Sequence, residues 1–289
     1  MPTKREKDSV TGQETTGHEW DGIKELNTPL PKWWLYVFYV CIAFSLVYIV
    51  LYPSVPSLSG YFHGLLDWDR RSELREDIAQ ARAAQAQYRE AIDATELDAI
   101  AQDRELLNFA LTGGEAAFAD NCAPCHGRGG AGRPGGYPSL ADDAWLWGGK
   151  IGAIHHTIAY GVRNDHDQSR QSMMPTFGEG LLDDTQIDQV ASYVLSLSRE
   201  VADTEAVEAG ATVYQQNCVA CHGPEGKGNP QLGAPNLRDA IWLYGEDKAD
   251  LMAQIAQPQH GQMPAWAPRL DSVTVKMLAV YVHSLGGGE

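Results

Sequence analysis

Two segments of the chain carry the same pattern, C-x-x-C-H: Cys122–Cys125–His126 and Cys218–Cys221–His222. This is the signature of c-type haem attachment. Two thiols three residues apart on one helical turn can form thioethers to both vinyl groups of a haem. The histidine that follows is then placed to ligate the iron from one side. Paired cysteines also serve other chemistries. A zinc ribbon needs its pairs closer together than these. A redox dithiol of the thioredoxin type belongs in a βαβ unit, and no such pattern is present. A histidine directly after both pairs fits neither alternative.

A sixth iron ligand is expected downstream of each motif. Met174–Pro175 and Met263–Pro264 stand at corresponding places. A thioether is a soft neutral ligand, and His/Met ligation raises the reduction potential of the iron. With both axial positions filled, no site is left for oxygen or substrate, so the expected activity is electron transfer without a catalytic residue. The rivals for this position are Met173, His155, His156, His166 and His260. Met174 is preferred to Met173 because it alone precedes proline, as Met263 does. A lone methionine is otherwise a core filler.

Further features recur in pairs. Gly114 and Phe118 precede Cys122 as Gly210 and Tyr214 precede Cys218. A glycine one turn before an aromatic lets another helix approach closely, and Tyr193 and Tyr281 in the closing helical stretches are candidate partners. Pro138 and Pro235 lie about a dozen residues past each ligand histidine. A proline carbonyl there can accept the second ring N–H and orient the imidazole. Trp145 and Trp242 are candidate pocket walls, with ordinary core packing as the alternative.

These residues need elements to hold them. Beyond Thr112 the chain repeats its landmarks in one order, so two copies of one helical fold are expected. The acidic stretch near 199–208 marks their junction. Ahead of them, residues 67–109 are charged and alanine-rich, which suits a helical connector with exposed faces. Trp33 to Tyr52 is apolar apart from Ser45 and long enough to cross a bilayer as a helix. Its aromatic ends (Trp33, Trp34, Tyr36; Tyr48, Tyr52) suit the two interfaces. The long polar lead and the absence of an A-x-A site favour an uncleaved anchor over a signal peptide. Lys24 and Lys32 closely precede it, whereas Arg70 and Arg71 are the first basic residues after it, which predicts a cytoplasmic N-terminus. The first 30 residues are expected to be extended or irregular, and Cys41 is an apolar filler of the span. The net charge of −16 excludes nucleic acid as a partner, and an acidic face could steer a basic protein.

Each repeat resembles a class I cytochrome c: a helix ending in C-x-x-C-H, a P-x-L segment, a Met-Pro loop and a closing helix. The whole chain resembles CcoP/FixP, the membrane-anchored dihaem subunit (subunit III) of cbb3-type cytochrome c oxidases. The segment HEWDGIKELNTPLPKWWLYVFY carries that resemblance most specifically, with the two W-L-[WY]-G segments at Trp145–Gly148 and Trp242–Gly245 in support. The fold expected is all-α. Residues 1–32 form a cytoplasmic segment, 33–52 the transmembrane anchor, 53–111 the helical connector, and 112–200 and 201–289 two cytochrome c domains.

The resemblance implies two covalent haem c groups held by Cys122, Cys125, His126, Met174, Cys218, Cys221, His222 and Met263. It implies haem domains in the periplasm of a bacterial inner membrane, with a cytochrome c or cytochrome bc complex as donor. The monohaem subunit and the catalytic haem–copper subunit are the implied acceptors. It also leaves one pairing open. Exchange between the domains would put Met174 on the second iron and Met263 on the first, whereas sequence spacing favours the simple arrangement. Alternatives are a membrane-anchored dihaem donor to a different reductase, and a dihaem peroxidase with one open iron.

Overall fold

The structure, a computed structural model, describes residues 4–239 and 241–286. It divides into two compact units, Met1–Ala84 and Gln85–Glu289.

The first unit opens on an antiparallel hairpin, β1 (Thr15–Trp20) and β2 (Ile23–Leu26). Its turn is Asp21–Gly22, both with positive φ (50° and 84°). That is the backbone a two-residue hairpin loop needs, and Asp-Gly supplies it cheaply. The sequence carries this signal, but alternation in TTGHEW and IKEL is too weak to announce strands. Helix α1 (Lys32–Leu51) follows and buries none of its residues within the structure. An apolar helix exposed on every side is satisfied by lipid. The chain then turns back through a second hairpin, β3 (Pro56–Ser57) and β4 (Gly60–Tyr61). The Leu65 and Leu66 amides donate to the carbonyls of Val50 and Leu51 at the end of α1 (3.0 and 3.1 Å). No formally charged residue occurs between Lys32 and Asp67.

Helix α2 (Arg70–Ala94) contains the boundary between the units. The second unit is helical: α3 (Leu97–Ile100), α4 (Arg104–Asn121), α5 (Ala123–His126), α6 (Ile151–Tyr160), α7 (Asp184–Ser196), α8 (Thr204–Asn217), α9 (Val219–His222), α10 (Lys248–Ala256) and α11 (Ser272–Ser284). Aspartates start the longer helices. Asp103, Asp183, Asp203 and Asp271 each accept a backbone N–H of the first turn, and Asp183 forms a full capping box with Gln186. The expected division at residue 112 falls inside α4. The connector also joins the folded head: Ile92 and Ile100 are fully buried, and the Lys276 ammonium donates to the carbonyls of Ile92, Asp93 and Thr95 at the end of α2.

The second unit holds two apolar cores, and neither corresponds to one sequence repeat. The first combines α4 and α6 with Val273–Val282 of α11. The second combines Val213 and Tyr214 of α8 and Leu251 and Ile255 of α10 with Ile187–Leu195 of α7. Each closing helix therefore packs on the other repeat. Two small residues permit the contacts. A Cβ on Gly114 would strike the Met277 carbonyl and Tyr281, and one on Gly210 would strike Gln189 and Tyr193. The aromatic partners follow the same exchange, with Phe118 against Tyr281 (5.4 Å between ring centres) and Tyr214 against Tyr193 (5.1 Å).

Candidate haem sites

Both C-x-x-C-H motifs form in the same way. The α4 and α8 helices end at Cys122 and Cys218, whose amides donate to Phe118 and Tyr214. One further turn brings His126 N to the Cys122 carbonyl and His222 N to the Cys218 carbonyl (2.9 and 3.0 Å). Gly127 and Gly223, at φ 78° and 77°, then stop the turn in a conformation that favours glycine. Each pair of thiols and its histidine therefore share one turn.

The two histidines are fixed alike. His126 Nδ1 lies 3.0 Å from the Pro138 carbonyl, and His222 Nδ1 lies 3.1 Å from that of Pro235. A carbonyl only accepts, so Nδ1 carries the proton and Nε2 keeps its lone pair for a metal. Burial pushes both imidazoles below the usual histidine range, against the opposing pull of the carbonyl, and so favours the neutral ligand form. Burial also pushes Cys122 and Cys218 up to about 11, with Cys125 and Cys221 adding to the effect. Such thiols are poor nucleophiles, unlike those of a redox dithiol. Among the described residues no cluster of three or more His, Cys, Asp or Glu is placed to hold a metal ion.

The methionines separate by core. Met174 packs against the second core, as Cys218 and Trp242 also do. It lines a cavity of ≈400 Å³ together with Cys218, Cys221, His222, Pro235 and Trp242. Met263 packs against the first core, which contains Cys122. The loops that carry them are docked in the same crossed manner. The Gly178 amide, in the Met174 loop, donates to the Ala256 carbonyl at the end of α10 (3.0 Å). The Ala267 amide, in the Met263 loop, donates to the Ala159 carbonyl near the end of α6 (3.0 Å). Met263 and Val162 also exchange both backbone hydrogen bonds (2.9 and 3.0 Å).

Of the rivals, Met173 is 67% exposed. His156 and His166 both pack on Tyr160, His155 lies on α6, and His260 lines the same cavity as Met174. Trp242 borders that cavity as a wall residue, and Trp145 reaches it from the first repeat. Two contacts escaped the sequence reading. A Cβ on Gly136 would meet Tyr244, and one on Gly233 would meet Trp147. These are equivalent positions traded across an approximate two-fold relation, as in an isologous dimer. The W-L-[WY]-G segments were the available signal.

The donor set suits a covalently held haem: two thiols, an oriented imidazole and a thioether around an apolar-walled cavity. Comparison with known proteins agrees. Residues 12–59 match the N-terminal domain of cytochrome oxidase-cbb3, FixP, and residues 111–198 match cytochrome c. Residues 205–282 match cytochrome c oxidase, cbb3-type, subunit III. The chain is 51% identical to the cbb3-type cytochrome c oxidase subunit CcoP of Azospirillum brasilense, covering 99% of both chains. The chain belongs to the CcoP/FixP family. FixP of Sinorhizobium medicae is 50% identical over 98% of this chain and 97% of its own. CcoP of Cereibacter sphaeroides is 46% identical over the full length of both. Membership extends from the anchor to the last helix, so this CcoP/FixP chain is a single-pass membrane protein that binds haem c.

Proposed function

We propose that the chain carries two haem c groups and relays electrons as a subunit of a cbb3-type oxidase. Cys122, Cys125 and His126 hold one haem, and Cys218, Cys221 and His222 hold the other. The methionines are exchanged: Met263 serves the first site and Met174 the second. The observation that carries this reading is Met174 lining one cavity with His222, Cys218 and Cys221. Its crossed counterpart is Met263 packed against the core of Cys122.

Bound haem supplies one-electron iron chemistry. The chain supplies everything else. Pro138 and Pro235 orient the imidazoles, and Met174 and Met263 would supply thioether ligands, which raise the potential of a bound haem. The apolar walls exclude water, which keeps the charge change on oxidation costly and the reorganisation small. The donor is a cytochrome c or cytochrome bc complex. The monohaem subunit, and through it the haem–copper subunit, is the acceptor. The haem domains face the periplasm and the N-terminus faces the cytoplasm, as Lys24 and Lys32 on the near side of α1 support.

The test uses single-haem chains. With Cys218 and Cys221 replaced by alanine, only the first haem is attached. Its near-red methionine–iron absorption band is expected to survive Met174→Ala and to vanish with Met263→Ala. The opposite pattern would restore the unexchanged pairing. Carbon monoxide binding to both reduced haems of the unaltered chain would overturn the closed His/Met sites.

A further inference from the structure

Arg163 stands at the centre of the exchange. It follows the end of α6 with φ 48°, a left-handed conformation uncommon for a non-glycine residue. Its amide donates to the Arg170 carbonyl (2.7 Å). Its Nε donates to the Gly261 carbonyl at 2.7 Å, and its Nη1 donates to the Ser172 carbonyl at 2.8 Å. Gly261 is two residues before Met263, and Ser172 is two residues before Met174. One guanidinium thus grips both methionine loops at the same register. Arg163 also lines the cavity that Met174 lines. It has no carboxylate partner within ion-pair distance among the described residues. The neighbouring Asn164 is different: its Nδ2 donates to the Met263 carbonyl (2.7 Å) and to Tyr160, and so serves one loop only.

We propose that Arg163 is a positioning residue shared by both iron sites, a brace that sets the two sixth-ligand loops together. The guanidinium is planar and its donors have fixed relative directions. Two carbonyls bonded to it are held at one separation, so a shift of either methionine loop is felt by the other. A lysine keeps the charge but offers a single flexible ammonium, and does not reproduce the fork. The strained backbone at Arg163 is consistent with a side chain kept for its direction. This inference rests on Met174 and Met263 being the distal ligands.

The experiment uses the full-length chain with both haems in detergent. A redox titration follows the near-red methionine–iron band of each ferric haem. In Arg163→Ala the band is expected to weaken at both haems, and both potentials to fall as methionine ligation is lost. Asn164→Ala is expected to disturb one haem only. Arg163→Lys is expected to leave at least one site disturbed although the charge remains. If Arg163→Ala fails to mature, the lysine and asparagine variants decide. A band unmoved in Arg163→Ala, a loss confined to one haem, or a lysine variant identical to the parent overturns the brace alone. Absence of the band from the parent chain overturns the ligation reading and the brace with it.

Discussion

The candidate ligands are held by neighbours that carry no chemistry of their own. Pro138 and Pro235 fix the ring nitrogens of His126 and His222 at 3.0 and 3.1 Å. Gly114 and Gly210 make room for Tyr281 and Tyr193. At these glycines the cost of a methyl group is steric, because backbone atoms of the opposing helix already occupy the space. Gly114→Ala and Gly210→Ala are each expected to lose about 1–3 kcal/mol of stability, the usual range for overpacking. Thermal or denaturant unfolding of the haem-loaded head measures this. Gly129, where an added Cβ meets nothing within 4 Å, has a positive φ of 64°. Its alanine variant reports backbone strain without crowding, and is expected to lose less than either helical glycine.

At the scale of elements, the exchange of α7 and α11 decides which C-x-x-C-H motif depends on which part of the chain. Helix α11 buries Met277, Leu278 and Val282 in the core that contains Cys122. A chain ending at Leu270 keeps Met263 but loses this helix. Amide hydrogen exchange is then expected to rise across α4, in the other repeat, while α8 stays protected by α7. Faster exchange in α8 with α4 unchanged would mean that each closing helix packs on its own repeat. The connector is tied to the same element, because Lys276 satisfies three carbonyls at the end of α2. A lysine there also meets the negative end of the helix dipole. The truncation should therefore free the last turn of α2 as well.

For the whole molecule, two interlocked cores in one unit mean that neither repeat is a complete folding unit. Residues 112–200 expressed alone would expose the faces of α4 and α6 that α11 covers, and are expected to aggregate or dimerise. Charge acts at the same scale. The chain carries 38 acidic against 22 basic residues. Association with a basic electron donor is expected to be steered by this field and to slow as salt rises. Stopped-flow oxidation of a reduced donor at increasing ionic strength measures it. A rate independent of salt would mean that docking uses an uncharged surface.

Several features of this chain were legible because they are local. The C-x-x-C-H turns, the Met-Pro pairs, the histidine–proline spacing and the apolar span of α1 each need only residues close in sequence. The physical reason is that one helical turn, one loop or one bilayer thickness fixes them. The N-terminal hairpin was also local, yet only Asp21–Gly22 signalled it. What the sequence could not decide was partnership. Gly114 fits Tyr193 or Tyr281 equally well by type, and Met174 could pair with either C-x-x-C-H motif by chemistry. Two repeats that share the same landmarks offer two similar packings, and residue types alone do not choose between them. Only the tertiary structure settled that α11 lies on α4 and α7 on α8. The reciprocal seats of Tyr244 on Gly136 and Trp147 on Gly233, and the backbone pairing of Val162 with Met263, hold the repeats in that arrangement.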